Sequence, residues 1–430
     1  MAGEGSLIYR QRMEEQYKAV SKVWEIVSLL YMMGMLIAPS TLIYNLTRAL
    51  MLLTVLLVGF FSNIKQVGKA QLLWSACVVL YFFLHTLSGT PVNTASAWHR
   101  LGVLAMNYLI LNIFILQTQT EEGYDIFIKN LTIAVMALNF IIVINQGSEL
   151  ASRRFGNLAV HYPFGRVVYN SNGAGLVNAL CLLLQLYRFD RDKEKKRFAV
   201  IAINFLVIVL SGSRKSLLCI VGFIFIYMFF HEKQHRLRNV IIAMILAVIM
   251  IILVLNVPVM YSLLGARLEN YVMSVFAQEE LTESSAIVRG KMIDTGLYWL
   301  SQRPFSGYGL DNYQYLQGSY GTYSHNNYVE LAISGGWQVI PLYYWFYLYV
   351  LIKLITSKED LKLQATGLAV MMLLPILEYG WVTYLDSKLI FYITVGYAPI
   401  ARSESKRRML QSHFSTDEGG TEYVGSKSAH

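Results

Sequence analysis

Three short stretches hold the residues whose types and spacing could do chemistry. Ser211 to Ser216 reads SGSRKS between two long apolar runs, a tight turn that sets Arg214 at the start of the second run. Free backbone N–H groups and the helix dipole at such a start favour an anion, and a guanidinium can hold a phosphate by two parallel hydrogen bonds. A helix beginning near Ser284 or Ser285 and ending before Pro304 carries Arg289 in its first turns. In TYSHNNYVELAISGGW, His325 precedes an amphipathic apolar stretch that contains Glu330 and is interrupted by Gly335 and Gly336. With an ordinary pKa of about 6.5, an imidazole there can take a hydroxyl proton at neutral pH. The plainer readings are an Arg214 that only anchors a helix end at the interface and a His325 that only hydrogen-bonds there. Between Arg289 and His325 a Tyr-rich loop includes Tyr308, Tyr313 and Tyr323, whose flat faces and hydroxyl edges suit sugar rings; an interfacial aromatic belt is the competing explanation in a chain with 29 Tyr.

The elements that must position these residues are membrane helices. Of 430 residues 55% are apolar and 15% charged, too little polar surface for a soluble enzyme of this length. The apolar residues form blocks of about twenty, the length of helix that crosses a hydrocarbon core of about 30 Å. Spans are expected near 23–43, 46–62, 71–88, 101–117, 126–145, 172–187, 198–211, 215–230, 239–258, 326–352, 363–380 and 388–400, giving an all-α polytopic membrane protein with about twelve transmembrane helices. The first block lacks a signal-peptide cleavage pattern and is expected to be retained. Cys77, Cys181 and Cys219 all lie in apolar blocks with no CxxC spacing, so packing is their expected role.

Charge then sets orientation. Lys plus Arg exceed Asp plus Glu by 36 − 27 = 9. In a membrane protein that excess points to topology and anionic lipids, not to nucleic acid. Arg10, Arg12, Lys18, Lys22, Lys65, Lys69, the run RFDRDKEKKR before residue 198, HEKQHRLR, Lys353 to Lys362 and SESKRR all map to one side, which the positive-inside rule makes cytoplasmic together with both termini. The other face should be poor in cations, yet Arg153, Arg154, Arg166, Arg214, Lys215, Arg267, Arg289, Lys291 and Arg303 map to it. An anionic ligand at the outer surface explains nine misplaced cations; pairing of Arg267 or Arg303 with Glu269, Glu279, Glu280 or Glu283 is the alternative. The chain divides into 1–160, a tail and five spans; 161–400, a catalytic membrane domain with an outer loop at 259–325; and 401–430, a tail expected to be disordered. No GxxxxGK[ST], HExxH or GxSxG motif occurs, and no paired-Asp cluster faces outward, so neither metal nor cofactor is expected. NSNGAG, Asn170 to Gly175, opens a span and reads as a cap followed by small residues that admit close helix approach.

Taken in order, SGSRKS, then Arg289 followed by RPFSGYGLDNY, then SHNNYVELAISGGW resemble the O-antigen ligase and polymerase family of bacterial membrane glycosyltransferases, over about residues 165 to 355. The resemblance implies a helical fold related to the GT-C class of lipid-dependent glycosyltransferases, in the bacterial cytoplasmic membrane with its site on the extracytoplasmic face. It also implies transfer of a polyprenyl-diphosphate-linked glycan to a hydroxyl, with Arg214 and Arg289 at the diphosphate and His325 as the base. Arg166, Arg303, Asn172, Tyr308, Tyr313 and Tyr323 are the candidate substrate-binding residues. The expected activity is polymerisation of a cell-surface polysaccharide (O-antigen, capsule or exopolysaccharide), inverting and metal-independent, in which the acceptor is another lipid-linked repeat unit. Ligation of finished glycan to a lipid or protein acceptor is the alternative, and a transporter or flippase, which Glu330, Glu378 and the Gly335–Gly336 break would also fit, stands behind both. Expected partners are the lipid-linked donor, the glycan acceptor and membrane lipids, with a flippase and chain-length regulators as further candidates.

Overall fold

The computed structural model describes residues 22–39, 41–57, 68–146, 157–163, 165–232, 234–266, 268–270, 284–357 and 360–418. Helix α1 covers 22–37, followed by α2 (Leu42–Leu57), α3 (Lys69–Leu87), α4 (Thr94–Gln117) and α5 (Glu121–Gln146). A hairpin of β1 (Asn157–Tyr162) and β2 (Gly165–Asn170) leads into α6 (Ser171–Asp192), α7 (Arg197–Ser211), α8 (Arg214–Phe230) and α9 (Arg236–Asn256). Then come α10 (Ser284–Gln302), α11 (Asn327–Gly335), α12 (Val339–Thr356), α13 (Leu361–Glu378) and α14 (Leu389–Glu418). Among the described residues α3, α4, α5, α9, α12 and α13 are long and apolar enough to cross a membrane. Among the described residues each expected span overlaps helix, six of them helices long enough to cross, and the chain is an all-α polytopic membrane protein.

Helix ends follow local chemistry. Gly212, at φ +58°, closes α7 in the left-handed conformation, and Ser213 caps α8 by accepting the Ser216 N–H at 3.3 Å, so SGSRKS is a two-residue turn between antiparallel helices. Asn170 caps α6 by accepting the N–H groups of Asn172 and Gly173 at 2.9 and 3.1 Å. Helix α6 is the buried centre of the bundle, packed on α5, α7, α8 and α13. Inside it, Asn178 and Asn139 exchange side-chain hydrogen bonds at 2.8 and 3.0 Å, which satisfies both amides where no water is available. Trp74 fastens α3 to α12, stacking on Phe346 at 4.5 Å and donating to the Tyr343 carbonyl at 2.8 Å.

The charged loops separate into two ends as their sequence suggested. At one end Arg191 reaches Asp125 at 2.8 Å and Glu121 at 3.5 Å, Lys362 reaches Asp190 at 3.3 Å, and Arg402 reaches Glu121 at 3.5 Å. At the other end lie the 88–93 loop, the hairpin, the SGSRKS turn, the 303–326 loop and the 379–388 loop.

Three elements differ from expectation. The 146–171 segment holds an antiparallel hairpin, in register from Asn157↔Asn170 to Tyr162↔Gly165; NLAVHY and GRVVYN are rich in β-branched and aromatic residues, and alternation is plain in β2, where Val167 and Tyr169 turn inward. The span expected at 326–352 is two helices, parted at Gly336 (φ +84°). The last helix does not stop at residue 400: it continues through SESKRRMLQSHFSTDE to Glu418, a stretch with no Gly or Pro, and Ala401 and Arg402 are buried. Residues 419–430 and 1–21 lie outside the described residues.

A close approach of α6 to the SGSRKS turn depends on Gly175, where a Cβ would stand 2.5 Å from Ser216 Oγ and 2.8 Å from Ser211 Oγ. Gly175→Leu should therefore overpack this contact, costing about 1–3 kcal/mol. The expected result is a lower thermal unfolding midpoint in detergent, with Gly175→Ala falling between variant and parent; unchanged midpoints would show that the turn does not need this approach.

Candidate active site

The lobe at the SGSRKS end of the bundle is built on a broken helix. Where α11 stops, its last carbonyls lose their helical partners, a cost that lipid-buried backbone cannot leave unmet. The PFSGYG loop meets it: Tyr308 N–H donates to Ile333 O at 2.7 Å, Gly309 N–H to Ser334 O at 3.0 Å, and Trp337 N–H returns to Pro304 O at 2.8 Å. Gln338 Nε2 adds a hydrogen bond to Gly335 O at 2.9 Å, and the Tyr81 hydroxyl donates to the same carbonyl. Gly307 must be glycine here, since its φ is +58° and a Cβ would lie 2.6 Å from Ile333 O. A second, smaller core of Met292, Leu300, Tyr308, Tyr313, Val329 and Ile333 joins α10 to α11. The lobe is also tied to α4 through Arg100–Asp311 at 2.6 Å, and to the α3–α4 loop through Val92 N–H to Tyr308 O at 3.0 Å.

This scaffold sets His325 at the entrance of α11. Asn326 caps the helix, accepting from Tyr328 and Val329 N–H at 3.0 and 3.1 Å, and buried Glu330 accepts the Ser324 N–H at 2.7 Å, so the residues on both sides of His325 are pinned. Between them His325 adopts φ +59°, a left-handed conformation that costs a β-carbon residue energy and persists only when its neighbours enforce it. Asn327 secures the next turn by donating to the Tyr344 hydroxyl at 2.9 Å and accepting from Thr383 and Tyr384 N–H at 2.9 and 3.2 Å. Glu378 completes the network, accepting from Tyr344 at 2.7 Å, from Tyr347 at 2.9 Å and from the Thr383 hydroxyl.

Cations gather around the imidazole. Arg289 and Lys215 both act electrostatically on His325, and Arg289 and Arg214 both act on Lys215, so residues from the SGSRKS turn, α10 and the α11 entrance share one field. Lys215 donates to the carbonyl of Gly380, beyond the end of α13. Burial, first, and then the positive charges of Arg289 and Lys215 push His325 from its ordinary 6.5 down to about 4. The ring is thus neutral at pH 7 and able to accept a proton. Tyr323 lies against it, with ring centroids 4.3 Å apart and the tyrosine 41% exposed. On the same end of the bundle, the Lys388 side chain approaches Gly173 in the first turn of α6 and pairs with Asp386 at 3.2 Å.

Of the residues singled out in the sequence, Arg214, Arg289, His325 and Tyr323 come together. Tyr308 and Tyr313 do not present faces to a sugar: both rings are buried in the lobe's core, and their hydroxyls donate to Trp299 O at 3.0 Å and Met292 O at 2.8 Å. Arg303 is exposed and lies over the Tyr308 ring at 4.9 Å, away from the cluster by every contact it makes. Arg166 is exposed on β2 opposite His161, and Asn172 sits half-buried in the first turn of α6, its N–H held by Asn170. Arg153, Arg154, Arg267, Glu279, Glu280 and Glu283 lie outside the described residues. Lys215 was legible only as one more outer cation; its place beside Arg289 depends on Gly380, 165 residues away.

A membrane bundle with a cation-lined, histidine-bearing lobe on a broken helix at one end is the class of protein this geometry defines. Residues 199–344, which contain SGSRKS, α10 and the His325 turn, match the family model described as O-antigen ligase. Over this segment the chain is similar to the O-antigen ligase family. It is also similar to the ComP-specific O-oligosaccharyltransferase of Acinetobacter baylyi (strain ATCC 33305 / BD413 / ADP1), at 26% identity over 345 residues, 75% of this chain. The match spans 61% of that relative's length.

If Arg289 holds the imidazole down, Arg289→Gln should raise the His325 pKa above 4, while burial, the larger cause, keeps it below 6.5. Histidine titration by NMR on the solubilised protein, with His325 assigned from a His325→Gln spectrum, reads this directly. An unmoved midpoint would separate the two residues.

Proposed function

We propose that this protein transfers a glycan from a polyprenyl-diphosphate carrier to an acceptor hydroxyl at the outer face of the cytoplasmic membrane. The observation that carries the reading is the convergence of Lys215 and Arg289 on a neutral, half-buried His325, with Arg214 acting on Lys215 beside them. As the anomeric C–O bond breaks, negative charge develops on the leaving diphosphate, and preorganised cations stabilise it. The acceptor oxygen forms the new bond from the opposite face, its proton passes to His325, and polyprenyl diphosphate departs, giving inversion at the anomeric carbon. The cations that lower the His325 pKa are the ones the diphosphate would neutralise. Donor binding therefore raises the basicity of the ring, and the base is strongest when the donor is in place.

Two acceptors fit this chemistry. Polymerisation, in which another lipid-linked unit accepts, needs surface for two glycans, and the burial of Tyr308 and Tyr313 removes two residues that could supply it. The matching family model is described as a ligase and the Acinetobacter relative is named an oligosaccharyltransferase, wording that supports the ligase reading. Export of the glycan by this chain has less support, because the cations cluster at one end of the bundle, away from its middle. We place the active-site end outside and the end holding Arg191, Lys362 and Arg402 in the cytoplasm, by the positive-inside rule.

His325→Ala should lower turnover by about 10²–10⁴-fold, the usual contribution of a positioned base. Arg214→Lys, which keeps the charge and loses the planar fork, should weaken use of the donor. Both are read by sizing surface and lipid-linked glycans side by side from a deletion strain complemented with each variant. Finished polymer stranded on its lipid identifies a ligase, single repeat units on lipid a polymerase, and units confined to the cytoplasmic leaflet a flippase. Full rescue by His325→Ala would remove the proposed base.

A further inference from the structure

Helix α10 has two working sides. Arg289, Met292, Gly296 and Leu300 recur at helical spacing along the side that packs on α11, with Gly296 against Val329 and Ile333. Asp294 and Tyr298, one turn apart, point to the other side, where a cleft of about 340 Å³ is lined by Asp294, Thr295, Tyr298, Trp299, Gln317 and Gly318. That size lies within the range of small-molecule sites. The cleft is held in shape: Trp299 Nε1 donates to Gln317 O at 2.9 Å, and Gly318, at φ +85°, brings the loop against Thr295. Its two rings, Tyr298 and Trp299, meet edge to face at 5.4 Å, and Tyr298 is 59% exposed. Among the described residues the exposed Asp294 carboxylate makes no ion pair.

We infer that this cleft is a glycan subsite, distinct from the cation cluster, that holds sugar residues of a chain on its way to or from the reacting centre. Aromatic faces match the C–H faces of pyranose rings, and a carboxylate, a hydroxyl and an amide match their O–H rims. The same carboxylate repels a diphosphate, so the cleft and the Arg289 side divide the substrate by charge: sugar on one side, phosphate on the other. The rise of 1.5 Å per residue puts Asp294 and Tyr298 about 8–14 Å along α10 from Arg289, a distance that a chain of several sugars spans and a single sugar does not. This inference rests on the glycan-transfer reading, and it concerns a surface that the chemistry at His325 does not use.

The test is equilibrium binding with full-length protein in detergent, so that it does not depend on turnover. The probe is the reducing oligosaccharide released by mild acid from the host's own lipid-linked glycans, followed by saturation-transfer NMR. Wild type and His325→Ala should bind it alike, with transfer to ring C–H protons, whereas Tyr298→Ala and Asp294→Ala should weaken binding at least about tenfold, by loss of a stacking or charge-assisted contact. Leu297→Ala, an exposed neighbour outside the cleft, should bind as wild type and excludes general misfolding of α10. Absence of saturable binding to wild type, or equal binding by Tyr298→Ala and Asp294→Ala, overturns the subsite while leaving transfer at His325 intact. In transfer assays the KM that rises in the two variants identifies the chain held: the donor KM if it is the donor's glycan, the acceptor KM if it is a glycan acceptor. If neither KM moves, the cleft has no part in transfer.

Discussion

A helix buried in a membrane bundle cannot be interrupted unless something else satisfies the backbone groups it abandons, and the break at Gly335–Gly336 is where this protein meets that constraint. The carbonyls of Ile333, Ser334 and Gly335 are taken up by the PFSGYG loop, Tyr81 and Gln338. Because the loop that repairs the break also ends α10, the repair ties the lobe to the bundle. Arg289 on α10, His325 at the head of α11 and Arg214 with Lys215 on the SGSRKS turn consequently meet at one place. The same logic runs through the interior, where Glu378 and Asn327 are surrounded by donors and acceptors that hold the first turn of α11 against α12 and α13.

The site is electrostatically tense before any substrate arrives. Cations crowd a ring that is itself held in a left-handed backbone conformation, and burial removes the water that would screen them. In the proposed mechanism an anionic donor relieves the crowding, which couples binding to activation of the base. Strain at His325 and repulsion among Arg214, Lys215 and Arg289 thus carry a common meaning in the proposed mechanism: stability at this corner is given up for a field shaped to a diphosphate.

Much of this was legible in the residues. Apolar blocks located the helices, SGSRKS announced a turn, and the placement of Arg289 and His325 followed from Ser284, Pro304 and the Gly pair. What was hidden depended on contacts distant in sequence. Tyr308 and Tyr313 looked like sugar platforms because a tyrosine in a loop has no periodicity to show whether its ring turns inward, and here both turn toward Met292 and Ile333. Lys215 could not be distinguished from other outer cations without Gly380 beside it. The hairpin carried its own signal in NLAVHY and GRVVYN, overshadowed by the surrounding helices, and the continuation of α14 past residue 400 shows charged residues extending a helix that hydropathy alone would end.

The central claim is a single displacement at the anomeric carbon, with His325 taking the proton and the cations receiving the diphosphate. It is tested most directly by reconstituting the purified protein in lipid nanodiscs with polyprenyl-diphosphate-linked glycan of known anomeric configuration and its acceptor, then determining the configuration of the new linkage by NMR. The account predicts one inverted linkage formed per polyprenyl diphosphate released, with both products formed about 10²–10⁴-fold more slowly by the His325→Ala protein. A retained configuration, or release of polyprenyl diphosphate at the wild-type rate without His325, would contradict it.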